Sequence, residues 1–219
     1  MTPKGQLKSK QRVSDHGEVF TSEREVAAML DLVAHETDRI DSRFLEPACG
    51  TGNFLYEILQ RKLIVVKRRY KRSQIEYERY ALLAVSSVYG IDVLEDNVAE
   101  CQLRLLTLFE NEYKKQFKQS QNTQYLDNIK FIIGRNILWG DALTLMLPDN
   151  TETPIVFSEW SAINGSMIKR RDYTLANLLA YQPMEEPNLF SDLGDQAFIP
   201  KSLKEFPLTH FMDLINYAE

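Results

Sequence analysis

The spacing of apolar residues along the chain alternates between helical and extended patterns. Ser22 followed three residues later by Glu25 forms a capping box, and Val26, Ala27, Met29, Leu30 and Val33 then recur at helical intervals. This predicts a helix over 23–36. Phe44 and Leu45 lead as a short strand into a glycine turn, after which Phe54, Leu55, Ile58 and Leu59 again show helical spacing. The charged and aromatic stretch from Arg61 to Leu83 reads as one or two helices bridging to a second strand, Val88–Asp92. Val98, Cys101, Leu105, Leu108 and Phe109 predict a long amphipathic helix over 95–119. Phe131–Gly134 reads as a third strand and Pro154–Phe157 as a fourth.

Strands and helices that alternate in this way predict an α/β fold: a doubly wound, mostly parallel sheet covered by helices. Beyond Phe157 the pattern weakens to a short helix over 173–180, and Pro183, Pro187, Pro200 and Pro207 break the remaining segment into short pieces. The predicted division is an N-terminal arm over 1–21, an α/β domain over 22–157 and an irregular tail over 158–219.

Composition narrows the class. The 219 residues are 44% hydrophobic, enough for one sizeable core. No run of about 18 apolar residues occurs, and Met1–Val13 is polar and basic, so a soluble cytoplasmic protein without membrane contact is expected. Cys49 and Cys101 are too few and too far apart for a disulfide framework or a cysteine-rich zinc site, and no metal set is predicted. A net charge of -5 argues against a chain coated in positive charge. Two local basic clusters, Lys67–Arg72 and Lys169–Arg171, have the composition to meet phosphates, although solvated faces balanced by Glu76 and Glu78 explain the first more simply.

The chemistry-bearing residues fall at predicted strand ends. Glu46 closes the first strand, and Gly50 and Gly52 form a bare-backbone turn that a ligand can approach closely. Asp92 ends the second strand and is placed to accept hydrogen bonds from the hydroxyls of a ribose, while Asp141, after the third, is placed to accept one from the exocyclic amino group of an adenine. The third glycine of a dinucleotide fingerprint is missing, Leu55 standing in its place, which weighs against a nicotinamide-dependent dehydrogenase; Gly52 to Asp92 exceeds the usual interval of about 20 residues, and the basic helical insertion at Arg61–Arg79 accounts for the excess.

Phe44-Leu45-Glu46-Pro47-Ala48-Cys49-Gly50-Thr51-Gly52-Asn53-Phe54-Leu55 closely resembles the first, cofactor-binding motif of the adenine amino-methyltransferases of restriction-modification systems. Gly17–Thr21 is similar to that family's upstream motif, Tyr89–Val93 to its second and Gly140–Leu143 to its third, so the resemblance spans 17–143. It implies a Rossmann-like fold with S-adenosylmethionine as cofactor and DNA as partner. The implied cofactor-binding residues are Phe20, Thr21, Glu46, Pro47, Ala48, Cys49, Gly50, Thr51, Gly52, Asn53, Phe54, Asp92, Val93, Asp141, Ala142 and Leu143.

The family positions its target base with Asp or Asn, then Pro-Pro and an aromatic, just after the fourth strand; no Pro-Pro pair occurs in this sequence. Such a loop orients the target amino group and stacks on the flipped base. Asn164, which could donate and accept, and Trp160, which could stack, offer a substitute, but a buried Trp beside an ordinary Asn-Gly turn explains these residues more simply. No target-recognition region is recognisable either. The resemblance therefore implies a second subunit supplying target recognition or the catalytic loop, and it leaves three readings open: a methyltransferase core, a non-catalytic cofactor-binding accessory subunit, and a truncated fragment.

Overall fold

The computed structural model describes residues 21–118, 120–149, 151–179 and 200–217. Helix α1, Glu23–Asp31, starts at the anticipated capping box: the Ser22 hydroxyl accepts from the Glu25 N–H, and the Glu25 carboxylate accepts from the Ser22 N–H at 3.0 Å. The expected single helix breaks at Leu32 and Val33, whose N–H groups donate three residues back instead of four, and resumes as the short α2, Ala34–Thr37.

Strand β1, Phe44–Glu46, leads through the glycine turn into α3, Asn53–Tyr70, and then α4, Gln74–Ser86, capped by the Ser73 hydroxyl. Strand β2, Val88–Asp92, is followed by α5, Glu95–Gln116, and α6, Thr123–Asn136. Strand β3, Ile137–Trp139, completes a parallel sheet of order β1-β2-β3, with Leu45 opposite Tyr89 and Asp92 opposite Trp139.

The predicted third strand, Phe131–Gly134, is the last turn and a half of α6. A short apolar run does not distinguish the two conformations. Here Tyr125, Ile129, Ile132 and Ile133 are buried at helical spacing, with the Asn122 side chain capping the start by accepting from the Tyr125 N–H. The strand lies just downstream.

The fourth strand also departs from expectation. β4, Val156–Ala162, does not join the parallel sheet; it pairs antiparallel with β5, Met167–Thr174, which in turn pairs with β6, Lys204–Glu205, and β7, Thr209–His210. Parallel pairing thus ends at β3, and where an irregular tail was expected the chain folds into a second sheet. The short helix over 173–180 is observed as α7, Leu175–Leu179. Asn164-Gly165 turns the β4–β5 hairpin, with Gly165 at φ 54°. An ionic cluster fastens that hairpin to α6: buried Asp172 accepts from Arg170 and from Arg135 at 2.9 Å, and the Ser158 hydroxyl donates to it at 2.7 Å.

Alternation along β2 divides the packing. Val88 belongs to the larger core with α1 and α3 to α6, where Trp160, Ile168, Phe211 and Leu214 also enter. Tyr89 and Ile91 face the other way, against Ile155, Phe157 and Leu175. Among the described residues helices therefore cover one face of the parallel sheet, and the hairpin with the loop after β3 covers the other. The seven helices and three-stranded parallel sheet of the described residues form a mixed α/β architecture compatible with a Rossmann-like fold. No helix among the described residues is long and apolar enough to cross a membrane.

Candidate cofactor site

A cavity of about 490 Å³ opens at the C-terminal ends of β1, β2 and β3. Strand-end crevices of parallel sheets are where ligands settle, and the volume suits a small molecule. Of the predicted residues, Thr21, Glu46, Pro47, Ala48, Cys49, Gly50, Asn53, Phe54, Asp92, Val93, Asp141, Ala142 and Leu143 line it together. Thr51 and Gly52 do not. Thr51 is buried behind the turn, accepting from Arg104, and Gly52 stands against α5. Phe20 lies outside the described residues.

The turn is built around left-handed backbone at Gly50 (φ 52°) and Gly52 (φ 84°). A Cβ at Gly52 would lie 2.4 Å from the Cys101 sulfur, so both its conformation and its contact with α5 require glycine. The Gly52 N–H closes the turn onto the Cys49 carbonyl at 2.8 Å, and the Cys49 N–H donates to Ile91 of β2.

The three carboxylates occupy different situations. Asp92 is buried and already holds protein: one oxygen accepts from the Gly50 N–H at 2.8 Å, the other from the Leu94 N–H at 2.9 Å and the Asn97 side-chain amide at 3.2 Å. A carboxylate offers about four acceptor positions, so about one remains for a ligand hydroxyl, fewer than the two-hydroxyl role that its strand-end position suggested. Asp141 accepts from the Leu143 N–H at 2.8 Å through one oxygen, and its other oxygen has no partner among the described residues. Glu46 has no hydrogen-bond or ionic partner among them either, and burial pushes its carboxyl pKa above the ordinary 4.5. Val93 and Leu143 stand exposed at the rim as apolar surfaces.

Several contributors were not anticipated. Leu94, Asn97 and Gly140 also line the cavity, and Arg104 clamps the turn from behind by donating to the Thr51 carbonyl at 2.6 Å and the Asn53 side chain at 2.9 Å. Asn53 in turn donates to the Thr21 carbonyl at 2.9 Å, tying the entry to α1 to the start of α3. The readable signal was that Asn97, Cys101 and Arg104 share one face of α5 at i, i+4 and i+7.

The suggested substitute for the base-positioning loop is not at the cavity. Trp160 is buried, donates to Asn136 at 3.0 Å and packs edge-on against Phe131, while Asn164 belongs to the hairpin turn. The basic clusters also lie elsewhere. Lys67–Arg69 lie in the last turn of α3, whose rise puts them about 21–24 Å from Asn53 at the end of the glycine turn. Of the second cluster, Arg170 is buried against Asp172, and Lys169 and Arg171 pair with Glu205.

A stretch of 138 residues, 61% of the chain, is 28% identical to a protein of Methanocaldococcus jannaschii named "Putative type II restriction enzyme and methyltransferase". The similarity is to a restriction-modification methyltransferase. The matched stretch amounts to 11% of that relative's length. No protein-family profile matches the chain, and no solved structure matches it.

Proposed function

We propose that the chain is the S-adenosylmethionine-binding core of an adenine-specific DNA methyltransferase of a restriction-modification or defence system, acting with a second subunit. The observation that carries this reading is Glu46: a half-buried carboxylate without a protein partner among the described residues, in a cavity that it shares with Asp92 and Asp141 at three adjacent strand ends. An ionised carboxylate held out of water calls for a cationic donor, and the ammonium of the methyl donor's amino-acid moiety supplies one. The remaining acceptor position of Asp92 suits a ribose hydroxyl, the unpartnered oxygen of Asp141 suits an exocyclic amino group, and Val93 and Leu143 offer apolar contact to a purine face. The glycine turn lets backbone approach the ligand. When bound, the group supplies an electrophilic methyl; the chain's residues hold and orient it, so that positioning rather than acid-base chemistry lowers the barrier.

DNA as substrate, adenine as target base and the need for a second subunit rest on the motif resemblance and the similarity to the archaeal methyltransferase. The missing Pro-Pro loop favours a second reading, a cofactor-binding accessory subunit without catalysis of its own. Calorimetry with S-adenosylmethionine tests the common part: micromolar-range binding is expected for the parent chain and a loss of at least thirtyfold for Glu46→Ala, whereas no heat from a folded parent chain ends both readings. A labelled-methyl assay on unmethylated DNA, with and without the neighbouring gene product, then separates catalyst from accessory.

Glu46 also predicts a pH dependence. Its raised pKa means that the carboxylate gains a proton at a pH where an ordinary glutamate stays ionised, and a cationic ligand binds only the ionised form. Affinity is therefore expected to fall as pH is lowered, with a half-point above 4.5. Glu46→Gln should bind weakly with that slope removed, and an unchanged slope in this variant would reassign the dependence to another group.

A further inference from the structure

The parallel sheet stops at a strand that is built to continue it. β1 pairs with β2 alone, so its outer edge is unpaired among the described residues. The Phe44 N–H donates to the Ser87 carbonyl at 2.9 Å, which turns Phe44 and Glu46 towards β2 and leaves the N–H and C=O of Leu45 directed outward. Open edges are usually blunted by short length, charge, proline or a covering segment; here Arg43 and Pro47 flank a strand of three residues, so a partner strand gains its main-chain bonds at Leu45 alone. This one presents Leu45, 46% exposed, beside an apolar groove of about 190 Å³ whose walls include Tyr89, Phe157, Tyr173 and Leu178. The charges at the groove are matched: Arg43 and Glu159 pair at 2.6 Å, so the groove favours a neutral, apolar occupant.

The topology specifies the kind of occupant. A doubly wound sheet runs 3-2-1-4, and its ligand crevice lies between strands 1 and 4, where the order reverses. The present sheet is the 3-2-1 half, and its cavity lies at the end of β1, at one side of such a crevice. The strand next along the chain, β4, is committed to the antiparallel hairpin and cannot fill the fourth position. The matched stretch accounts for only 11% of the archaeal relative, so most of that protein lies outside what this chain resembles.

From these observations we infer that the outer edge of β1, with the groove formed by Leu45, Tyr89, Phe157, Tyr173 and Leu178, is a docking surface for an apolar β-strand of a second polypeptide, added parallel to β1. A strand in that direction delivers the residues after its C-terminal end to the mouth of the cavity, where a base-positioning loop is lacking. Main-chain hydrogen bonds to Leu45 provide the register, and side chains entering the groove provide the selectivity. The inference rests on the reading of the cavity as a methyl-donor site, since that is what gives the delivered loop a purpose.

The probe is a synthetic ten-residue peptide, an apolar strand ending in the family's loop, acetyl-Asp-Val-Ile-Val-Ile-Gly-Asn-Pro-Pro-Tyr-amide, titrated into the isotopically labelled chain. Amide resonances are followed, and S-adenosylmethionine is titrated separately by calorimetry. The expected result is a saturable shift and slowed hydrogen exchange at the Leu45 amide. Leu178→Asp should weaken the peptide at least tenfold while leaving S-adenosylmethionine affinity within twofold, and Leu45→Pro, which removes the outward donor at an edge where proline is tolerated, should weaken the peptide similarly. An unperturbed Leu45 amide at millimolar peptide in a chain that binds S-adenosylmethionine overturns the docking surface alone. Failure of both ligands overturns the proposed function with it. A Leu45 amide protected without peptide, together with concentration-dependent dimerisation in sedimentation, assigns the edge to a second copy and overturns the heterologous partner.

Discussion

Asp92→Ala is expected to weaken S-adenosylmethionine binding by a hundredfold or more and to destabilise the chain by about 3 kcal/mol, because the substitution strands two backbone donors and removes an acceptor from the Asn97 side chain. The Gly50 N–H, the Leu94 N–H and the Asn97 amide all end on this one carboxylate. Each unsatisfied buried donor costs about 1–3 kcal/mol, and the Gly50 donor belongs to the turn that shapes the cavity, so affinity and stability fall together. Asp92→Asn separates the two effects. Its single oxygen serves either Leu94 and Asn97, with the amide nitrogen confronting the Gly50 N–H, or, after a flip, Gly50, with the other pair losing their acceptor. Urea denaturation should then show a smaller loss than for alanine while calorimetry still shows a large drop in affinity. An alanine variant that kept its affinity within threefold would sink the role of Asp92 as the brace of the turn.

The second large effect concerns Lys62, which is fully buried in α3. Its ammonium donates to the Ile40 carbonyl at 3.1 Å, to the Ser87 hydroxyl at 2.6 Å and to the Ser42 carbonyl, drawing the segment before β1 against the start of β2. Burial pushes its pKa down from 10.5 to about 7, with Asp41 and Glu36 pulling the other way. A depressed lysine leaves the unfolded chain holding more protons than the folded one between those two values, so stability rises with pH across that window and is lost as pH falls through about 7. A shift of that size corresponds to about 5 kcal/mol across the full window. Lys62→Met should remove most of this slope. Chemical denaturation at intervals from pH 7 to 8.5 checks it, a range that stops short of the ordinary pKa values of cysteine, 9.0, and tyrosine, 10, because the buried Cys49 thiol and Tyr113, both pushed up, contribute the opposite sign above those values. Equal slopes in parent and variant would show that Lys62 does not titrate in this range.

The motif-bearing half of the chain was largely legible before any coordinates. The capping box at Ser22, the strand-turn-helix through Gly50 and Gly52, and the second strand ending at Asp92 depend on local chemistry: a side chain satisfying a helix N-terminus, glycines that accept left-handed backbone, and alternation or helical spacing over a few residues. The misassigned segment, Phe131–Gly134, is apolar in a way that either conformation tolerates, and burial of Ile129 and Tyr125, one and two turns earlier, decides for the helix. Arg104 escaped notice because its targets, the Thr51 carbonyl and the Asn53 side chain, lie some fifty residues away in sequence.

What the residues alone determined is the glycine turn and the acids at the ends of the first two strands, each placed by the period of its own segment, whereas Asp141 follows a third strand that the apolar pattern set too far upstream. Tertiary structure decided how those acids are used, with Asp92 turned inward to hold the turn and Glu46 left without a partner among the described residues, because hydrogen-bond partners arrive from elements far away along the chain. It also decided that β4 pairs with β5 rather than β1, since Asn164-Gly165 makes antiparallel return the shorter closure and the Asp172 cluster secures the hairpin to α6. That choice leaves β1 with an edge unpaired among the described residues, a feature that no local pattern encodes.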